Sequence, residues 1–167
     1  TAAYTLLGTL GTITNNGTIS TAVPTVTSVT PLASGKTWGG TIIYAAPAGA
    51  QTVVAGTYDS LTLSNTSGVD TAAGAITVNT ALTTTAGGTL DMGAHQLLGA
   101  FTPTNGGTLK TSNTTATPIP SGKAWAGTVE YGAAAGGQTI VPETSYNNLT
   151  LDNTSLINTA GGDLVVN

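Results

Sequence analysis

Residues 31–79 read PLASGKTWGGTIIYAAPAGAQTVVAGTYDSLTLSNTSGVDTAAGAITVN, and residues 118–167 read PIPSGKAWAGTVEYGAAAGGQTIVPETSYNNLTLDNTSLINTAGGDLVVN. With one residue inserted near Glu143, 26 of 49 positions are identical, at an offset of 87 before the insertion and 88 after it. The likeness extends upstream: NNGTIST at 15–21 matches NGGTLKT at 105–111, and LLG at 6–8 matches LLG at 97–99. The period is therefore close to 90 residues, and the chain holds nearly two copies, 31–79 and 118–167, joined by linking coils 1–30 and 80–117. A fixed long period is the mark of a repeat architecture, in which each unit buries its apolar face against its neighbour.

Within each copy, short pieces rich in Thr, Val, Ile and Leu are separated by Gly, Asn and Ala-Gly clusters. TWGGTIIYA, QTVVA, LTLS, AITVN, TLDM, HQLLG and TLKTS start mostly 8–15 residues apart, and no 3.6-residue periodicity is sustained. The chain therefore reads as all-β. Two architectures share this spacing: a β-solenoid resembling a parallel β-helix, and a tandem array of β-sandwich domains. Three features favour a single elongated solenoid over 1–167. Bulky side chains are too few for two-sheet cores, small residues stand at the bends, and in GGTLDMGAHQLLG the strands are too short for a sandwich.

Composition points the same way. The 167 residues include 36 Thr, 23 Ala and 23 Gly, against only ten charged residues, and the net charge is -4. Thr, Val, Ile and Tyr fit a pleated, half-buried surface, and a net charge this small supplies little of the self-repulsion that keeps chains disordered. Three lysines and no arginine give no basic stripe for phosphates, which argues against nucleic acid as a partner. No apolar stretch approaches the roughly 20 residues of a membrane-spanning helix. Without cysteine there is neither a disulfide framework nor a thiolate metal site.

The pattern GTxxYxxxxGxQTVxAGTYxxLTLS followed by ITVNxxLTTTxGGTLDMGxHxLLG, within residues 40–99, resembles the repeats of large secreted bacterial surface proteins. Those are adhesin-like or fibre-forming proteins, many of them read as parallel β-helices. The resemblance implies an extracellular or cell-surface location and a structural or adhesive role, and it carries no catalytic residues across.

Several residues invite a chemical reading. Trp38 and Trp125 share a position in the two copies, each followed six residues later by a tyrosine, Tyr44 or Tyr131. These four could form an aromatic platform for cell-surface or matrix glycans. In an extended strand, however, Trp38, Gly40, Ile42 and Tyr44 share one face, as do Trp125, Gly127, Val129 and Tyr131. The opposite face holds Ile43 in one copy and Glu130 in the other, so it is solvated and the aromatic face is the buried one. The glycines after each Trp are then read as making room for the indole. Leu61 and Leu63, matched by Leu149 and Leu151, alternate with polar residues and read as half-buried strand. Ser34-Gly35-Lys36 and Ser121-Gly122-Lys123 lack the spacing of a phosphate loop and read as turns with a solvated lysine.

Acid–base chemistry has little material. None of Asp59, Asp70, Asp91, Glu130, Glu143, Asp152 and Asp163 recurs as a carboxylate in the other copy, so a calcium-binding repeat is excluded. An isolated oxygen site at Asp152 or Asp163 would fall short of the six or more oxygens a hard cation takes. His95, with Asp91 four residues before it, is the one candidate general base, and it reads as a turn residue. Thr12 with Thr14 and Thr25 with Thr27 raise an ice-binding ladder but do not recur at a coil spacing. Five sequons begin at Asn16, Asn65, Asn113, Asn148 and Asn153. The expectation is a non-enzymatic extracellular building block without cofactor or metal. It would stack head to tail with itself as a surface fibre or form part of an adhesin stalk; a carbohydrate-binding module is the alternative. The near-phase of Thr1 and Asn167 within the repeat fits continuation from one chain to the next.

Overall fold

The computed structural model describes residues 13–24 and 30–167; LLG at 6–8, Thr12, Thr25 and Thr27 lie outside them. The described residues form fourteen strands and no helix: β1 (Thr18–Thr21), β2 (Lys36–Tyr44), β3 (Thr52–Val53), β4 (Gly56–Leu63), β5 (Val69–Ala72), β6 (Ile76–Thr84), β7 (Thr89–Asp91), β8 (Leu97–Leu98), β9 (Thr102–Asn105), β10 (Thr108–Thr111), β11 (Ala124–Tyr131), β12 (Thr139–Ile140), β13 (Ser145–Leu151) and β14 (Thr159–Ala160). One sheet runs β1-β2-β4-β6, with β8 and β9 both on β6. A second runs β13-β11-β10-β7-β5-β3, and β12 with β14 makes a short third.

Every ladder is parallel. Lys36 lies beside Gly56 and Gly56 beside Ile76, so the chain returns to the same place about every 20 residues. This is a β-solenoid of about seven turns. A sandwich is built from antiparallel sheets, so the tandem β-sandwich alternative does not hold.

Side-chain alternation decides what fills the coil. In β2, Trp38, Ile42 and Tyr44 point inward while Thr37, Thr41 and Ile43 point outward; in β11, Trp125, Val129 and Tyr131 are the inward set. Leu61 and Leu63 on β4, Ile76, Val78 and Leu82 on β6, Leu90 on β7 and Leu109 on β10 continue the same axial core. Thr supplies the outward positions because its branched carbon suits the pleat and its hydroxyl suits water.

The glycines after each Trp serve a purpose other than the one read from the sequence. A Cβ on Gly40 would stand 2.3 Å from the Gly17 carbonyl oxygen, and one on Gly127 would stand 2.2 Å from that of Gly107. Both contacts are with the backbone of the preceding coil and not with the indole. Gly40 also has φ +59, a left-handed conformation that glycine adopts without penalty. Each ladder slips its register here, between Trp38 and Thr41 and between Trp125 and Thr128. The glycines let the chain bend at close quarters to its neighbour.

Candidate functional site

Trp38, Tyr44, Trp125 and Tyr131 are all buried in the axial core, so no ring of the four offers a face on which a sugar could stack. The tyrosine hydroxyls are used internally, whereas the Trp38 and Trp125 indole N–H groups are buried without a hydrogen-bond partner. The Tyr44 and Tyr58 hydroxyls lie 3.4 Å apart, the Val54 N–H donates to the Tyr44 oxygen at 3.0 Å, and the Tyr58 hydroxyl donates to the Val54 carbonyl at 2.6 Å. The second copy repeats the ring. Tyr131 and Tyr146 are 3.2 Å apart, the Val141 N–H donates to Tyr131 at 3.0 Å, and Tyr146 donates to the Val141 carbonyl. Burial pushes the pKa of all four tyrosines up, as it does for any group whose charged form loses water.

Two residues that sequence reasoning passed over hold the corners. Gln51 is buried, and its amide donates to the carbonyls of Thr21 at 3.1 Å and Val23 at 3.2 Å while its oxygen accepts from the Ala46 N–H at 2.7 Å. Gln138 does the same in the second copy, donating to Thr111 at 3.0 Å and Asn113 at 3.1 Å and accepting from Ala133 at 2.8 Å. Each glutamine thus ties a turn of its own coil to the coil before it. The signal was present: QTVV and QTIV place two of the chain's three glutamines at one repeat position.

Two carboxylates are buried, one in each copy. Asp70 accepts the Gln51 N–H at 2.9 Å through one oxygen, and Glu143 accepts the Lys123 N–H likewise; the second oxygen of each has no partner. Burial pushes Asp70 up to about 6 and Glu143 up to about 7, and the donated N–H groups offset this only in part. For Glu143 the nearby Trp125 indole and the Lys123 charge also pull downward, although the indole N–H closes no hydrogen bond of good geometry. The second copy shows what the Asp70 position requires. There Asn158, a neutral acceptor, takes the Gln138 N–H at 3.0 Å.

Linkage gives the sign. Both folded-state values lie above the ordinary carboxylate range, so the folded chain holds these protons to higher pH than the unfolded chain does. The stability they contribute is complete below about pH 4 and is lost as pH rises through about 6 for Asp70 and about 7 for Glu143. Each represents on the order of 2 kcal/mol. Urea unfolding should therefore show a higher midpoint at pH 4.5 than at pH 8. In the double variant Asp70→Asn, Glu143→Gln the fall should largely disappear; an unchanged pH profile there would place the dependence elsewhere.

The remaining candidates are scattered. His95 sits half-buried in a turn whose N–H donates to the Met92 carbonyl at 3.0 Å. The Asp91 carboxylate is occupied by the Gly93 N–H at 2.8 Å, so it caps the same turn. Asp152 and Asp163 are exposed, and among the described residues no three His, Cys, Asp or Glu side chains are grouped to hold a metal ion. Of the sequon asparagines, Asn65 and Asn113 are buried, while Asn16 and Asn148 are exposed.

At the Ser-Gly-Lys corners, Ser34, Gly35, Ser121 and Gly122 are exposed as turns. Lys123 is not freely solvated. Its ammonium donates to the Phe101 carbonyl at 2.6 Å and lies 4.7 Å from the centre of that ring, within cation–π range. A cleft opens beside each corner: about 450 Å³ where Gly35 and Lys36 face Asn15 and Asn16, and about 380 Å³ where Gly122 and Lys123 face Thr102 and Pro103. On the outer face, Glu130 pairs with Lys110.

The last described coil differs from all those before it. Leu151 is 48% exposed and Val166 54%, whereas Leu63 and Val78, their counterparts in the first copy, are each 0% exposed. In the first copy a following coil lies beyond each of these strands, β6 beside the β4 of Leu63 and β8 beside the β6 of Val78. At 145–167 no described coil does, and Leu156 and Ile157 are exposed on the same coil. No described helix is long and apolar enough to cross a membrane. Comparison with protein-family models, with curated proteins and with solved structures finds no match for this chain.

Proposed function

We propose that this chain is a structural, non-enzymatic element of an extracellular surface fibre or adhesin stalk, whose coils stack end to end with those of a second copy. The observation that carries this reading is the unbroken parallel ladder, in which each coil is both the pairing template and the apolar cover of its neighbour. Such a ladder extends by adding strands to its edge, and Leu151 and Val166 stand at positions that are core in Leu63 and Val78. A further coil of the same kind, from a second copy in a fibre or from the next repeat in a stalk, brings both the edge and the apolar cover that Leu63 and Val78 receive. The extracellular setting rests on the likeness of the repeat pattern to secreted bacterial surface proteins. The mechanical role rests on the ladder, because each coil donates a row of backbone hydrogen bonds to the next and strength accumulates along the axis.

Purified protein should lengthen with concentration, giving end-to-end particles or fibres by electron microscopy. The double variant Leu151→Lys, Val166→Lys should remain short at the same concentration, because two charges would be buried without partners in the stacked state. Monodisperse single particles of the unaltered chain at high concentration would overturn the proposal.

A further inference from the structure

The two copies carry the same motif on different sides of the solenoid. β2, with SGKTWGGTIIY, belongs to the sheet of β1, β4 and β6, whereas β11, with SGKAWAGTVEY, belongs to the sheet of β10, β7 and β5. The next motif is displaced in the same sense. QTVV begins β3 in the second sheet, and QTIV begins β12 in the third. The cause is arithmetic. Lys36 and Lys123 are 87 residues apart, and a coil takes about 20. The interval therefore holds four coils and six or seven residues more, about one third of a coil.

Despite this displacement the local pairing is preserved. Thr18 beside Thr41, Ile19 beside Ile42, Ser20 beside Ile43 and Thr21 beside Tyr44 become Thr108 beside Thr128, Leu109 beside Val129, Lys110 beside Glu130 and Thr111 beside Tyr131. Where Ile43 is replaced by Glu130, Ser20 is replaced by Lys110, and the two new residues form an ion pair. Each strand thus keeps its neighbours while the pair as a whole moves to the next face. The faces are interchangeable hosts for one sequence.

We infer that the repeat is a screw. Each unit advances four and one third coils, about 21 Å at the ~4.8 Å strand spacing, and turns its surface by one face, so three units restore the phase. The placement of the corners follows from this. The exposed Ser-Gly-Lys corners and the clefts beside them open on neighbouring faces in successive repeats. A flat surface would meet a given corner only at every third repeat.

Cysteine pairs test the screw in the full chain. An in-step repeat would place Glu130 next in the column of Ile43, Thr62, Thr83 and Thr104; the screw places it beside Lys110. Under mild oxidation, Lys110→Cys with Glu130→Cys should form an intramolecular disulfide in most molecules, matching the control pair Ile43→Cys with Thr62→Cys. Thr104→Cys with Glu130→Cys should not. Crosslinking of 104 to 130 in place of 110 to 130 would overturn the inference. Nitroxide labels at Ser34→Cys and Ser121→Cys give a second readout that leaves the ladder untouched. Corners on neighbouring faces should lie about 30 Å apart, against about 20 Å for corners stacked along one edge, and the shorter distance would also overturn it.

Discussion

Replacing Gln138 with Leu should cost about 4 kcal/mol and lower the melting temperature by roughly 10 °C, the largest effect expected of any single polar residue here. The side chain is buried and satisfies three backbone groups at once: the Ala133 N–H and the carbonyls of Thr111 and Asn113. Leu nearly preserves the volume, so the loss isolates the hydrogen bonds. Each orphaned backbone group costs about 1–3 kcal/mol once water is excluded. Gln51→Leu should match it, because Gln51 repeats the same three bonds on Ala46, Thr21 and Val23. Thermal melts of both variants check this. A shift of only one or two degrees would show that the corners bend without their clamps.

Truncating Trp38 to Ala should cost a similar amount, about 3–5 kcal/mol, for a different reason. The indole is among the largest fully buried side chains, and Trp38 lies opposite Tyr58 of the next coil in the parallel ladder. A coil packed this tightly against its neighbours cannot collapse into the void, because the backbones already touch at Gly39 and Gly40. Intrinsic fluorescence supplies a companion measurement. Emission from Trp38 and Trp125 should be blue-shifted, protected from aqueous quenchers and unchanged by polysaccharides. Red-shifted, quenchable emission would mean that the indoles face water.

Both effects fall where sequence reading succeeds unevenly. The parity of β2 was legible from one fact, that a face accepting Ile43 or Glu130 must be solvated, and it placed Trp38, Ile42 and Tyr44 inside. Gln51 and Gln138 were not legible as clamps. A buried glutamine is recognised only when the carbonyls it must reach are known, and those of Thr21 and Val23 lie 30 and 28 residues away in sequence. The buried acids were hidden for the same reason. Asp70 and Asn158 look like an ordinary acid-to-amide exchange until both are seen accepting one glutamine N–H from the coil before them. Lys123 is the reverse case: read as a solvated turn residue, it folds back on Phe101, because the preceding coil brings a carbonyl and a ring within its reach.

The sequence by itself determined that this chain is all-β, that it repeats near 90 residues, and which side chains of β2, β4 and β11 face the axis. These are short-range properties, settled by residue preference and by a pleat that alternates every residue. Only the tertiary structure decided which strands meet, and hence that the copies stand one face apart. That phase accumulates over the bends between Lys36 and Lys123, where a residue gained or lost at any corner would move every later motif along the coil. The parallel pairing of each coil on the one before it, a contact between residues about 20 apart in sequence, is what fixes it.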